Sequence, residues 1–244
     1  MVPKVVTPIY EIEQKSTKKK LKFRPYLVKE EKILLMAKQS QGDNPSAPAQ
    51  IGDIFTSIRQ IVQSCCLEKK FSAEKLPTFD LEYIFLQLRA FSVNNIETLV
   101  VTDNEDGLKY ELPLNFHDID VKFPENPPPK NIDLGNGLSI LMKYPSSEIY
   151  DGTNQEMLEK LKKGQIFQLV LQTIEGVYNN DIVLKMTKEE LEEFLDTLPI
   201  PVYAKMKEFL LNMPQLYHRI EYTNSLGKLR YVSFSSIVDF FLFL

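Results

Sequence analysis

Apolar residues at Ile51, Ile54, Phe55, Ile58, Ile61 and Val62 recur at steps of three and four, which predicts an amphipathic helix ending near Leu67. A second helix is expected over residues 79–93, with Leu81, Ile84, Phe85, Leu88 and Phe91 on one face and Thr78 or Asp80 as its N-cap. Glu82 and Arg89 mark its opposite face, while Tyr83 and Leu86 flank the stripe and place the helix between two layers. Residues 21–28 read as a short strand, and a helical pattern follows from Lys29 to the loop carrying Gly42, Pro45 and Pro48. The period then shifts towards two. Residues 96–102 and 108–115 flank the turn DNEDG as a hairpin, and 118–123 form a third short strand. Residues 131–134 and 138–144 pair around Gly135-Asn136-Gly137. Helical spacing returns from Thr153 through Met157, Leu158 and Leu161, then Ile166, Leu169, Val170, Thr173 and Ile174. Thr187 and Glu190 make a capping box that opens a helix through Leu195, and Pro201 sits in the first turn of another over 202–212. Residues 216–222 and 228–234 close the series as a last hairpin.

These elements predict an α+β fold of two mixed halves, each of helices packed with short antiparallel hairpins, joined by a Pro-rich linker. The expected division is an extended basic arm over 1–22, an N-terminal α+β domain over 23–123, the linker over 124–130 and a C-terminal α+β domain over 131–244. The linker rests on PENPPPKN, where clustered prolines favour extended polyproline geometry. No repeat of fixed period is visible.

Composition changes this picture mainly by exclusion. With 43% hydrophobic and 25% charged residues, the chain has the make-up of a globular protein rather than a fibrous or disordered one. No apolar run approaches the roughly 18–20 residues that cross a bilayer, and the first twenty residues lack the apolar core of a signal peptide. The net charge of -4 makes a poor general nucleic-acid binder. The basic residues are uneven, however: Lys18, Lys19 and Lys20 lie in a positive run near the N-terminus, which reads either as a solvated arm or as an arm that docks on an acidic partner. At the other end, Phe240, Phe241, Leu242, Phe243 and Leu244 form an apolar run that either closes the core or docks on a partner. Adjacent Cys65 and Cys66 make no ordinary disulfide, which points to a reduced, cytosolic setting.

The search for chemistry returns nothing that holds together. The two histidines, His117 and His218, lie beside predicted strands without a nucleophile signature or metal-ligand spacing. Cys65 and Cys66 lack the two-residue spacer of a redox pair. Aligning Gly107 with a calcium-loop glycine puts Thr102 and Pro113 where carboxylates belong. Gly135-Asn136-Gly137 is followed by neither the glycine nor the lysine that a phosphate cradle needs. The acidic group Glu189, Glu190, Glu192 and Glu193 is accounted for by the dipole at a helix N-terminus. No catalytic residue, cofactor site or metal site is expected.

Three segments carry a resemblance: FRPYLVKEEKILLMAKQSQ (23–41), LPTFDLEYIFLQLRAFSV (76–93) and the terminal hairpin with VDFF (238–241), supported by MKYPS at 142–146. They resemble the baseplate protein family of T-even-type contractile-tailed bacteriophages, and within it the small baseplate hub subunits, also described as hub assembly proteins. The resemblance implies a non-enzymatic part in building the baseplate hub, as a subunit or as an assembly chaperone that leaves. It implies other hub and tail proteins, or copies of the chain itself, as partners, with no nucleic acid and no membrane span. The implied location is the host cytoplasm during assembly, and the tail baseplate of the virion if the chain is retained. Two other classes stay open: a generic cytosolic adaptor, and an enzyme with an unrecognised site around His117 or His218.

Overall fold

The computed structural model describes residues 5–40, 48–150 and 166–241. In chain order the first elements are β1 (Tyr10–Glu13), β2 (Lys20–Phe23), α1 (Val28–Ser40), α2 (Pro48–Cys65) and α3 (Thr78–Ser92). Then come β3 (Ile96–Thr102), β4 (Lys109–Asn115), β5 (Asp120–Lys122), β6 (Asn131–Gly135), β7 (Leu138–Met142) and α4 (Phe167–Gln172). The series ends with β8 (Ile174–Asn179), β9 (Ile182–Leu184), α5 (Lys188–Asp196), α6 (Ile200–Leu211), β10 (Gln215–Thr223), β11 (Leu229–Phe234) and α7 (Ile237–Phe241). The strands pair antiparallel in small sheets, so the fold is α+β.

The chain divides into two compact units, Met1–Lys122 with Gln215–Leu244, and Phe123–Pro214. This differs from a boundary at a linker with everything after it in one C-terminal domain. The physical reason is a long-range pairing: β10 takes β5 as a neighbour, with Leu216 opposite Val121, which returns the last hairpin to the first unit. The expected arm differs too. From Tyr10 onward it is a hairpin, β1 against β2, whose Ile12 and Leu21 are buried.

The first unit is organised around α3. Leu81, Ile84, Phe85, Leu86 and Leu88 are fully buried, and Asp80, Glu82, Gln87 and Arg89 are buried with them, although Glu82 and Arg89 mark the face opposite the apolar stripe. Buried polar groups need partners, and here each has one from a different element. Asp80 binds the β1–β2 turn, and Glu82 accepts from the start of α7. Gln87 donates to the Phe116 carbonyl at 3.1 Å, and Arg89 donates to Glu97 at 3.0 Å and to the Tyr26 hydroxyl at 3.3 Å. The expected side-chain N-cap is replaced by Pro77, which makes none; Asp80 is turned to the hairpin instead.

In the second unit, β6-β7-β8-β9 form one antiparallel sheet. Ile132, Ile140, Met142, Val170, Val177, Leu195, Met206 and Phe209 make its core with α4, α5 and α6. The Gly137 φ of +79° closes the β6–β7 turn in the left-handed region, and a Cβ there would run into the Asn180 side chain. Both halves of the capping box at Thr187 and Glu190 are formed. Ile174, placed by spacing on a helical stripe, begins β8 instead, and its stretch of chain pairs with β7. The helix expected from Thr153 to Leu161 lies outside the described residues.

Candidate functional site

The basic residues near the N-terminus become part of a defined surface. At the β1–β2 turn, Gln14 N–H donates to the Lys19 carbonyl at 2.8 Å, and Lys18 takes a left-handed φ of 60°. The buried Asp80 carboxylate fixes this turn: it accepts from Ser16 N–H at 3.0 Å, from Gln14 Nε2 at 3.1 Å and from the Ser16 hydroxyl. Burial raises the Asp80 carboxyl above the ordinary range, and these donors from Ser16 and Gln14 act against that rise. On the other side, Phe23 bridges Cys66, and Leu67 N–H donates to the Lys22 carbonyl at 2.9 Å. The end of α2 is thereby laid alongside the hairpin.

Between hairpin and loop runs a groove of about 760 Å³, with Leu21 and Leu76 among its apolar lining and Lys19, Lys69, Lys70 and Lys75 as its cations. Glu68 is its one acidic lining residue. Of the three lysines singled out from sequence, Lys19 lines the groove; Lys18 lies 3.4 Å from Glu13, and Lys20 is solvent-exposed on β2. Lys69, Lys70 and Lys75 went unrecognised. Their signal was present as a second cluster, LEKKFSAEK, directly after the amphipathic helix.

The apolar tail is divided by the structure. Phe240 is fully buried and stacks on Phe234 at 4.8 Å, and Ile237 is buried beside it. Asp239 accepts from Ser235 N–H at 2.8 Å and Ser236 N–H at 3.1 Å, holding the start of α7. The Phe241 side chain and all of Leu242, Phe243 and Leu244 lie outside the described residues. Glu82 anchors the helix from within: its carboxylate accepts from Ile237 N–H at 2.9 Å and the Ser236 hydroxyl at 3.3 Å. Burial pushes this carboxyl up to about 7, against the pull of those two donors, and nearby Asp239 adds to the rise.

The DNEDG turn does structural work. Asp103 accepts from the Tyr222 hydroxyl at 2.8 Å and Arg230 Nε at 3.1 Å; Asp106 accepts from the Tyr110 hydroxyl at 2.6 Å and Ser225 Oγ at 2.8 Å. These bonds tie the β3–β4 turn to the β10–β11 turn. Backbone N–H donation from Glu105, with Tyr222 and Arg230, lowers the Asp103 carboxyl, and the Tyr110 hydroxyl foremost lowers that of Asp106.

The titratable candidates are similarly occupied. His117 Nδ1 lies 3.1 Å from Gln87 Oε1 with its ring against Phe91, and burial lowers the His218 imidazole. Burial raises both the Cys65 and Cys66 thiols, which keeps them protonated. Among the described residues no group of three or more His, Cys, Asp or Glu is placed to hold a metal ion. No helix among them is long and apolar enough to cross a membrane. Apolar side chains do reach solvent on α1, where Val28, Leu35 and Met36 are exposed.

The arrangement is thus an α+β protein whose described polar clusters mostly brace the fold and whose unusual surface is a lysine-lined groove. A family model described as T4 bacteriophage base plate protein matches residues 7–242, and the chain belongs to that family. No curated protein and no solved structure matches it.

Proposed function

We propose that this baseplate protein works without catalysis in assembling the central hub, as a hub subunit or as an assembly chaperone that is released. The observation that carries the reading is the family match over 7–242, which runs through both compact units. Its partners are other hub and tail proteins, with self-association a further contact. Its place is the host cytoplasm during assembly, and the tail baseplate where it is retained.

Docking is assigned to the two ends singled out by sequence, the basic turn with Lys18, Lys19 and Lys20 and the apolar tail through Phe241, Leu242, Phe243 and Leu244. Phe240 already serves the fold, so the tail is best tested beyond it. Deleting residues 242–244 is expected to leave the folded state intact and abolish partner capture. A folded deletion that still supports hub assembly removes the tail from the docking surface.

The test of the function is a phage whose copy of this chain is interrupted, grown in its host and examined by electron microscopy. Baseplates lacking a complete hub, restored when the chain is supplied separately, are the expected outcome. Normal baseplates in its absence refute the reading.

A further inference from the structure

Lys19, Lys69, Lys70 and Lys75 line one groove, and among the described residues none of the four forms an ion pair. We propose that this groove, between the β1–β2 turn and the loop after α2, docks an acidic segment of a partner protein. Four positive charges with Glu68 as the only counter-charge in the lining give the groove a net positive field. The volume of about 760 Å³ falls within the roughly 300–1,000 Å³ of ligand clefts, enough for a few side chains of an extended segment rather than a domain.

Both walls are held in place before any partner arrives. The hairpin wall is pinned by Asp80 through Gln14 and Ser16. The loop wall is pinned by Gln63, whose Nε2 donates to the Phe71 carbonyl at 3.2 Å and whose Oε1 accepts from Ala73 N–H at 2.8 Å. The Phe71 ring meets Phe23 edge-on at 5.9 Å, which ties the loop to β2. A preformed groove avoids the ordering cost that weakens flexible sites.

The composition of the lining favours a protein segment over a nucleic acid. No arginine lines the groove, although arginine is the side chain that grips phosphate with two parallel bonds. Glu68 would repel a continuous phosphate chain, whereas carboxylates spaced by neutral residues can pass it. Leu67 and Phe71 offer apolar contact for those spacers. The groove stands on this geometry; only the view that its partner is another baseplate protein rests on the assembly role proposed above.

The test is fluorescence anisotropy with the full chain and a labelled peptide of about twelve residues built from Glu-Leu-Glu-Ser repeats, in which a neutral residue follows each carboxylate. Binding is expected, weakening as salt rises from about 50 to about 200 mM because exposed charge pairs are screened. The K19Q/K69Q/K70Q/K75Q protein should bind about tenfold or more weakly, since exposed pairs contribute little singly and must act together. An equal charge change elsewhere, K109Q/K185Q/K188Q/K205Q, should move affinity by less than about twofold. If the groove variant loses its wild-type circular dichroism and melting curve, the K69Q/K70Q pair reads the same groove with about a threefold loss. The proposal is overturned by no binding, by equal losses in the groove and control variants, or by short duplex DNA competing better than unlabelled peptide. A failed peptide test beside a hub defect in the interrupted phage sinks the groove and leaves the assembly role standing.

Discussion

Replacing Glu82 by Gln should change how the first unit responds to pH. Glu82 is 5% exposed and its carboxyl titrates at about 7, against an ordinary value of 4.5. Between those two values the native protein holds a proton that the unfolded chain has already released. Stability therefore falls as pH rises through that window. A rise of 2.5, from 4.5 to about 7, corresponds to about 3 kcal/mol at 1.36 kcal/mol per unit. Gln keeps the side-chain length and an oxygen able to accept from Ile237 N–H, but it cannot ionise. E82Q and wild type should be close in stability near pH 4.5, and E82Q should gain progressively up to about pH 8, by up to about 3 kcal/mol. Asp80 is also raised by burial, and it is common to both proteins, so it drops out of the difference. Glu30, held down at about 2 against its own burial by Arg24 and Leu27 N–H, acts at lower pH and with the opposite sign. Urea unfolding followed by circular dichroism across this pH range measures the difference directly. A gap between the two proteins that stays constant within about 0.5 kcal/mol from pH 4.5 to 8 would refute the reasoning, because a carboxyl that ionises at the same pH in the folded and unfolded chain produces no slope.

Phe85→Ala should cost about 3–5 kcal/mol in urea unfolding, since the ring is fully buried; a loss well below that places it outside the core. Asp80→Ala leaves Ser16 N–H and Gln14 without their acceptor, so it should destabilise by about 1–3 kcal/mol and speed hydrogen exchange in the β1–β2 turn. Unchanged exchange there would show that the turn holds without it. Gly137→Ala combines a left-handed φ with a clash on Asn180 and should destabilise the second unit by more than about 1 kcal/mol. A neutral result would mean that the β6–β7 turn relaxes freely.

Local signals were legible in the residues and long-range ones were not. The three- and four-residue steps of α2 and α3, the capping box at Thr187 and Glu190, and the β3–β4 and β10–β11 hairpins all depend on neighbours within a few positions. The partition into units depends on Gln215 meeting Lys122, a pairing that no local period encodes. Glu82 and Arg89 look like a solvent face by type, yet their partners Ile237, Tyr26 and Glu97 come from other elements and let them be buried. The groove illustrates the same limit. Lys19 belongs to one basic cluster and Lys69, Lys70 and Lys75 to another, and only long-range contacts such as the bridge between Phe23 and Cys66 and the ring contact of Phe71 with Phe23 make them neighbours.

The central claim is that this member of the baseplate family takes part in building the hub, and the most direct measurement is quantitative mass spectrometry of hub intermediates and finished particles from infected cells. The account predicts the chain in a fixed ratio to the other hub proteins in those intermediates. A similar ratio in finished particles marks a subunit, and loss from them marks a released chaperone. Hub intermediates that form in normal amounts without the chain would contradict the account.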